Sequence, residues 1–314
     1  MENGIRFRWL GMSPEGDKVV LSRYQGEFTA PAHATPQWFE SHPDAWRWGS
    51  VLDVETTGTD TARDKVIEIG IRMFRFDRES GAVLSRDDGY GALEDPGEPL
   101  DPLITRITGI TDAMVAGQKI DWDRVRSYLE KAQIIIAHNA SFDRPFLDRY
   151  VPLSATKVWG CSFKQVDWES KGFPSQKLEI LSIYHGFFNS AHRALADADS
   201  LLHLLHLPAP EGEECYLAEL VRNARKKSAL VLAQNSPFET KDILRERGYR
   251  WDPERRVWHR FLFAEECPTE VEWLTDKVYS GKFRGIVREI PLTDGFKPMG
   301  SYFTSSSSNS ELGF

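Results

Sequence analysis

Cysteine is scarce in this chain: three in 314 residues, at Cys161, Cys215 and Cys267. They are far apart and odd in number, which excludes a disulfide framework as the basis of the fold. No CxxC pair or clustered Cys/His set occurs, so a zinc site of that kind is excluded on spacing. No run is apolar enough to span a bilayer, and the first residues do not read as a signal peptide. The expectation is a cytoplasmic protein without a membrane partner. A net basic charge is missing too, the formal value being −8 at pH 7. Whole-chain charge excludes little, because acids gathered at one point can dominate it.

What the chain does have is acids in three distinctive settings: VLDVETTG from Val51, HNASFD from His138 and HRALADA from His192. In the first, an apolar strand runs into Asp53-Val54-Glu55. Side chains two apart on a strand share a face, so Asp53 and Glu55 point together and Val54 turns to the core. Thr56-Thr57-Gly58 reads as a strand-ending turn whose backbone N–H groups lie free near a ligand. Alone, the acid pair also describes a solvated strand end. In the second, residues 133–137 read as a short buried strand that stops at His138. A helix with Phe142, Phe146 and Leu147 on one face begins near there and carries Asp143 in its first turn, where the backbone dipole by itself favours a carboxylate. Asn139 and Ser141 read as capping or turn residues.

The third setting constrains geometry. Positions five apart on a helix are roughly 140° off one another. His192 and Asp197 therefore converge only if His192 sits on the loop before a helix and Asp197 on its first turns. Leu195, Ala198, Leu202 and Leu205 supply that helix's packing stripe, Asp199 reads as solvated, and His203 and His206 as surface or partly buried residues. Carboxylates brought together from three segments repel unless cations or protons relieve them, which points to divalent metal.

These motifs, with the ITGIT-like stretch Ile107–Thr111 between the first and second, closely resemble the DEDDh branch of the DnaQ-like 3′–5′ exonucleases, the family of the proofreading epsilon subunit and exonuclease X. The resemblance covers roughly Ser50 to Leu207, with the motifs in family order. It implies an α/β fold, a ribonuclease H-like mixed five-stranded sheet flanked by helices, and two-metal hydrolysis of a terminal phosphodiester. By position, Asp53, Glu55, Asp143 and Asp197 would hold two Mg²⁺ or Mn²⁺ ions, and His192 would take the proton from the attacking water. Thr56, Thr57, Asn139, Ile110 and Phe142 are the expected substrate-binding residues, although core packing describes Ile110 and Phe142 as well. The implied substrate is a DNA 3′ end, single-stranded by preference, in repair or proofreading. An exoribonuclease acting on RNA ends and a non-catalytic polymerase- or clamp-associated subunit are the alternatives.

Outside the resemblance, basic residues accumulate between Ala224 and Phe263, ten Lys/Arg against five Asp/Glu, interleaved with Trp251, Trp258 and His259. The stretch reads either as a phosphate-binding stripe or as a solvated small module with a tryptophan core. The expected segments are an N-terminal accessory segment at 1–48 containing a hairpin, the exonuclease domain at 49–207, a linker and helix at 208–234, a small basic α+β module at 235–303, and a disordered tail at 304–314. The last six residues, Asn309–Phe314, resemble the sliding-clamp-binding pattern QxxLxF with Asn309 in place of Gln, which makes a clamp, alongside a polymerase, a candidate partner beside the DNA 3′ end.

Overall fold

The apolar run around Val51 forms strand β1 (Trp46–Thr56) at the centre of a sheet, where burial on both faces suits the near-continuous hydrophobic stretch Val51, Leu52 and Val54. The computed structural model describes residues 15, 18–189, 193–209 and 214–304. They fall into two units, Met1–Ala224 and Arg225–Phe314.

In the first unit β1 pairs antiparallel with β2 (Val66–Asp77), which pairs antiparallel with β3 (Val83–Leu93). On its other side β1 pairs parallel with β4 (Ile134–Ala137), and β4 with β5 (Val158–Cys161). The order β3-β2-β1-β4-β5 makes a mixed five-stranded sheet, as the resemblance implied. The helices that bear on the site are α1 (Pro102–Thr108), α2 (Ala140–Tyr150), α3 (Ala194–His206) and α4 (Tyr216–Ala224).

The start of α3 lies directly against the sheet at Gly70 of β2. A Cβ there would come closer than 3.0 Å to the backbone of Ala194 and Leu195, so only hydrogen fits. The helix is more deeply buried than a single stripe: Leu201 and Leu204 join Leu202 and Leu205 in the core, while Leu195 stays partly exposed.

Asp199 is not solvated, as its place off that stripe suggested. Its carboxylate takes both Nε (2.6 Å) and Nη2 (2.9 Å) of Arg72 on β2, and Nη2 of Arg86 on β3 (2.8 Å), with all three side chains largely buried. Two arginines facing inward across a sheet require an acid on the helix packed over them. Asp199→Ala strands both guanidinium groups and should cost about 3 kcal/mol, measurable by urea unfolding of the full chain.

The region expected to be linker and helix, 208–234, contains two core elements. Helix α4 buries Tyr216, Leu217, Leu220 and Val221 in the first unit's core. Strand β6 (Ser228–Ala233) is an inner strand of the second unit's sheet. That sheet is antiparallel in the order β9-β6-β8-β7, with β7 at Arg250–Asp252, β8 at Val257–Phe263 and β9 at Ile286–Ile290. Helix α5 (Cys267–Lys277) packs on one face through Leu274, and the short α6 (Ser301–Thr304) on the other through Tyr302. The tryptophans do not make up its core: Trp251 is exposed on the edge strand β7, while Trp258, half-buried on the inner strand β8, packs against the core from its margin.

Most of residues 13–17, the expected turn of the N-terminal hairpin, lie outside the described residues, as do His192 and Asn309–Phe314. Of the accessory segment, Ser22–Arg23 pairs in parallel with Phe187–Phe188.

Candidate active site

Strand β1 carries Asp53 and Glu55 out on one face, opposite Gly70 and Glu68 of β2 in register. Because Gly70 lets α3 sit directly over this face, Asp197 in the first turn of α3 meets them there. Carboxylate oxygens of Asp53, Glu55 and Asp197 lie within 4.8 Å of one another, and all three side chains are half-buried.

Asp143, in the first turn of α2, is 1% exposed and accepts a hydrogen bond from the Val54 amide at 3.2 Å. Strand β4 pairs only with Gly49–Val51, so the Val54 N–H lies beyond its reach and the carboxylate takes the vacant ladder position.

Burial and mutual repulsion dominate the electrostatics. Burial first, then the charges of Asp143, Glu55, Asp197 and Glu68, push Asp53 well above the carboxylate range. Glu55 rises to about 7 through burial and the charges of Asp197 and Glu68. Asp143 rises to about 8, mainly through burial, with the Val54 amide pulling the other way. Acids in this state hold protons unless a cation replaces them. The donor set is oxygen-only, anionic and convergent, which fits a hard divalent cation and not zinc held by nitrogen or sulfur.

Two neighbours of the acids carry no signal in the sequence. Glu68, 3% exposed, accepts from Arg193 Nε at 2.9 Å and from the Ala194 amide at 3.3 Å, tying the start of α3 to β2. Asn189 Nδ2 donates to Asp197 Oδ1 at 2.8 Å, while Asp197 Oδ2 accepts from the Arg193 amide at 3.2 Å. An isolated Glu in a strand and an Asn in a loop look like many others; only the fold brings them here. A cavity of about 530 Å³ opens beside this anchor, lined by Glu68, Leu93, Gln118, Arg193, Leu195 and Ala196 among others.

The expected substrate-binding residues divide. Phe142 is half-buried, its ring 5.3 Å from that of Phe146. Ile110 is instead core, fully buried with Ile67, Leu100 and Val115. The chain reverses at Gly109 (φ 70°), which caps α1 and turns Ile110 inward, leaving Leu103 and Ile107 as the exposed apolar residues of this segment. Thr56 is buried with its hydroxyl spent on the Gly58 carbonyl at 2.6 Å. The Thr57 hydroxyl accepts from the Lys65 amide at 3.0 Å, closing the β1–β2 connection. Asn139 is exposed and stands at the N-cap position of α2 in a left-handed turn (φ 70°), without a side-chain hydrogen bond to the helix.

A protein-family model described as Exonuclease, of RNase T type, matches residues 50–205. The DNA polymerase III subunit epsilon of Treponema pallidum is 30% identical over 158 residues, 48% of this chain and 70% of that protein. The PolC-type DNA polymerase III of Pediococcus pentosaceus is 31% identical over 175 residues, 53% of this chain but only 12% of that protein. A solved structure described as exonuclease X in complex with 5′ overhanging duplex DNA is 24% identical, covering 55% of this chain and 99% of its own, with a TM-score of 0.39. The family match ends before the second unit begins.

Proposed function

We propose, from the premise that this chain belongs to the RNase T-type exonuclease family, that it hydrolyses the last phosphodiester of DNA from the 3′ end. It prefers single-stranded ends, releases 5′-mononucleotides, and serves repair or replication proofreading. The observation that carries the reading is the meeting of Asp53, Glu55 and Asp197 oxygens within 4.8 Å, with Asp143 braced on the same strand.

Asp53, Glu55 and Asp197 would hold divalent metal, with Asp143 beside them; two Mg²⁺ or Mn²⁺ ions would supply charge neutralisation at the phosphate and a water acidic enough to attack near neutral pH. The chain's own residues do the rest. Asn189 and the Arg193 amide fix both oxygens of Asp197, so that carboxylate is aimed before substrate arrives. Glu68 anchors Arg193 and Ala194, the residues that directly follow His192 in the chain. The His192 imidazole accepts the proton of the attacking water, a task suited to an ordinary histidine pKa near neutrality. Phe142, with the exposed Leu103 and Ile107, offers apolar surface to the terminal nucleotide, and such contacts tolerate any base.

The test is degradation of 5′-labelled DNA and RNA single strands with Mg²⁺ or Mn²⁺. The reading expects laddering of DNA from the 3′ end, abolished by EDTA. His192→Ala should lower turnover by about a hundred- to ten-thousandfold while isothermal titration still records cation binding, since a base is lost and a ligand is not. Full turnover in His192→Ala at neutral pH removes the base assignment. Metal-independent cleavage, or cleavage of RNA alone, overturns the reading.

A further inference from the structure

The second unit, which the family match does not reach, presents a sheet face whose chemistry the nuclease reading leaves unused. Strand register sets Arg250, His259, Leu232 and Ile286 in one row across β7, β8, β6 and β9. The next row holds Phe261, Leu230 and Arg288. Leu230 and Leu232 are buried beneath α6, whose Tyr302 ring lies 5.2 Å from Phe261. The rim stays open: Phe261 is 46% exposed, Ile286 36%, and Arg250 is exposed beside the half-buried His259 ring.

Arginines outnumber acids on this face. Its acid, Asp252, is already held by Arg255 at 3.0 Å and by the amides of Glu254 and Arg255. Arg255 and Arg288 both lie over the Phe303 ring, at 4.7 and 5.6 Å. Two polar atoms here are buried without a hydrogen-bond partner, Nη1 of Arg288 and Nδ1 of His259. The His259 and Phe261 rings lie 6.1 Å apart and nearly perpendicular, at 82°, so with guanidinium groups beside them they suit a strand whose bases are splayed apart between its phosphates. A duplex keeps its bases stacked inside and offers such a face only backbone.

We propose that the face carrying Arg250, His259, Phe261 and Arg288 binds single-stranded nucleic acid, bases stacking on His259 and Phe261 and phosphates pairing with the arginines. The choice of polymer rests on the proposed function of the first unit. The second unit then binds nucleic acid through a face of its own.

The experiment uses the full chain carrying Asp53→Asn, so that bound strands survive, and fluorescein-labelled dT20 read by anisotropy. Arg250→Glu and Phe261→Ala should each weaken binding at least about fivefold, and Arg250→Ala should flatten the plot of log affinity against log salt by about 0.7. Both positions are exposed, so melting temperatures should match the parent. Unchanged dT20 affinity in a variant carrying both Arg250→Glu and Phe261→Ala overturns the proposal. So does equal weakening for a 20-base-pair duplex, or a parent dimer that Arg250→Glu dissociates in sedimentation, which assigns the face to a second copy. Hydrolysis of the p-nitrophenyl ester of thymidine 5′-monophosphate by the unsubstituted chain reports the first unit alone. Failure there defeats the nuclease reading without touching the dT20 result.

Discussion

Replacing Asp53 with Asn should abolish hydrolysis while making the cation-free protein more resistant to heat at alkaline pH. Asp53 is central in the repulsion: burial and four neighbouring acids all raise its pKa. Removing its charge removes a ligand and should lower the rate at least about a thousandfold, the scale of losing a group that stabilises transition-state charge. In EDTA Asp53 holds a proton until the pH climbs through its raised pKa, so the same substitution relieves the neighbours only at alkaline pH, where a melting temperature about 3 °C above the parent is expected.

The pH dependence has a definite sign. Glu55 at about 7 and Asp143 at about 8 are raised above their unfolded values of 4.5 and 3.8. Groups raised in this way contribute stability that is complete below the unfolded pKa and is lost as pH climbs through the folded one. Cation-free parent protein should therefore melt progressively lower between pH 5 and 8. Saturating Mg²⁺ should cancel most of that decline, because the cation takes over from the protons. A metal-free melting temperature that climbs over this interval, or an Asp53→Asn chain that melts below the parent in EDTA at alkaline pH, contradicts this account of the cluster.

Gly70→Ala should be the most damaging single methyl in the first unit. The added carbon would meet backbone atoms of Ala194 and Leu195, which cannot rotate aside as a flexible side chain would. The sheet or the first turn of α3 must move, at a cost of about 1–3 kcal/mol for overpacking. Displacement of that turn carries Asp197 away from Asp53 and Glu55, and an error of an ångström in such a group costs about a hundredfold in rate. Rates and urea midpoints of Gly70→Ala measured together check both parts. A folded variant with parental activity would show that α3 does not depend on this approach to place Asp197.

Gly70 also marks where reading the chain by pattern stops. The pairing of Asp53 with Glu55 followed from strand periodicity, and Asp143 and Asp197 in first helical turns followed from the segments around them. Substrate residues fared differently. Ile110 and Ile107 are both apolar members of one short segment, and no periodicity distinguishes them; the left-handed turn at Gly109 decides which faces inward. The turn at Thr56 was read for its backbone N–H groups, and only the fold shows that the Thr56 hydroxyl is taken by the Gly58 carbonyl. Asp199 was misplaced for a related reason: helical spacing says that it leaves the apolar stripe but not what lies opposite, and here two arginines from the sheet do.

By itself the sequence determined the membership, the sheet-and-helix alternation and the identity of the acids, because these depend on local period and on motifs that survive in linear order. Only the tertiary structure decided which neighbours those acids have: Glu68 across a strand pair, Asn189 from a loop, the Val54 amide left open where β4 ends. It also decided that 228–233 is an inner strand of a second sheet and not linker. Contacts between residues distant in the chain are set by how faces pack and which backbone groups remain unpaired, and neither quantity is written in any single segment.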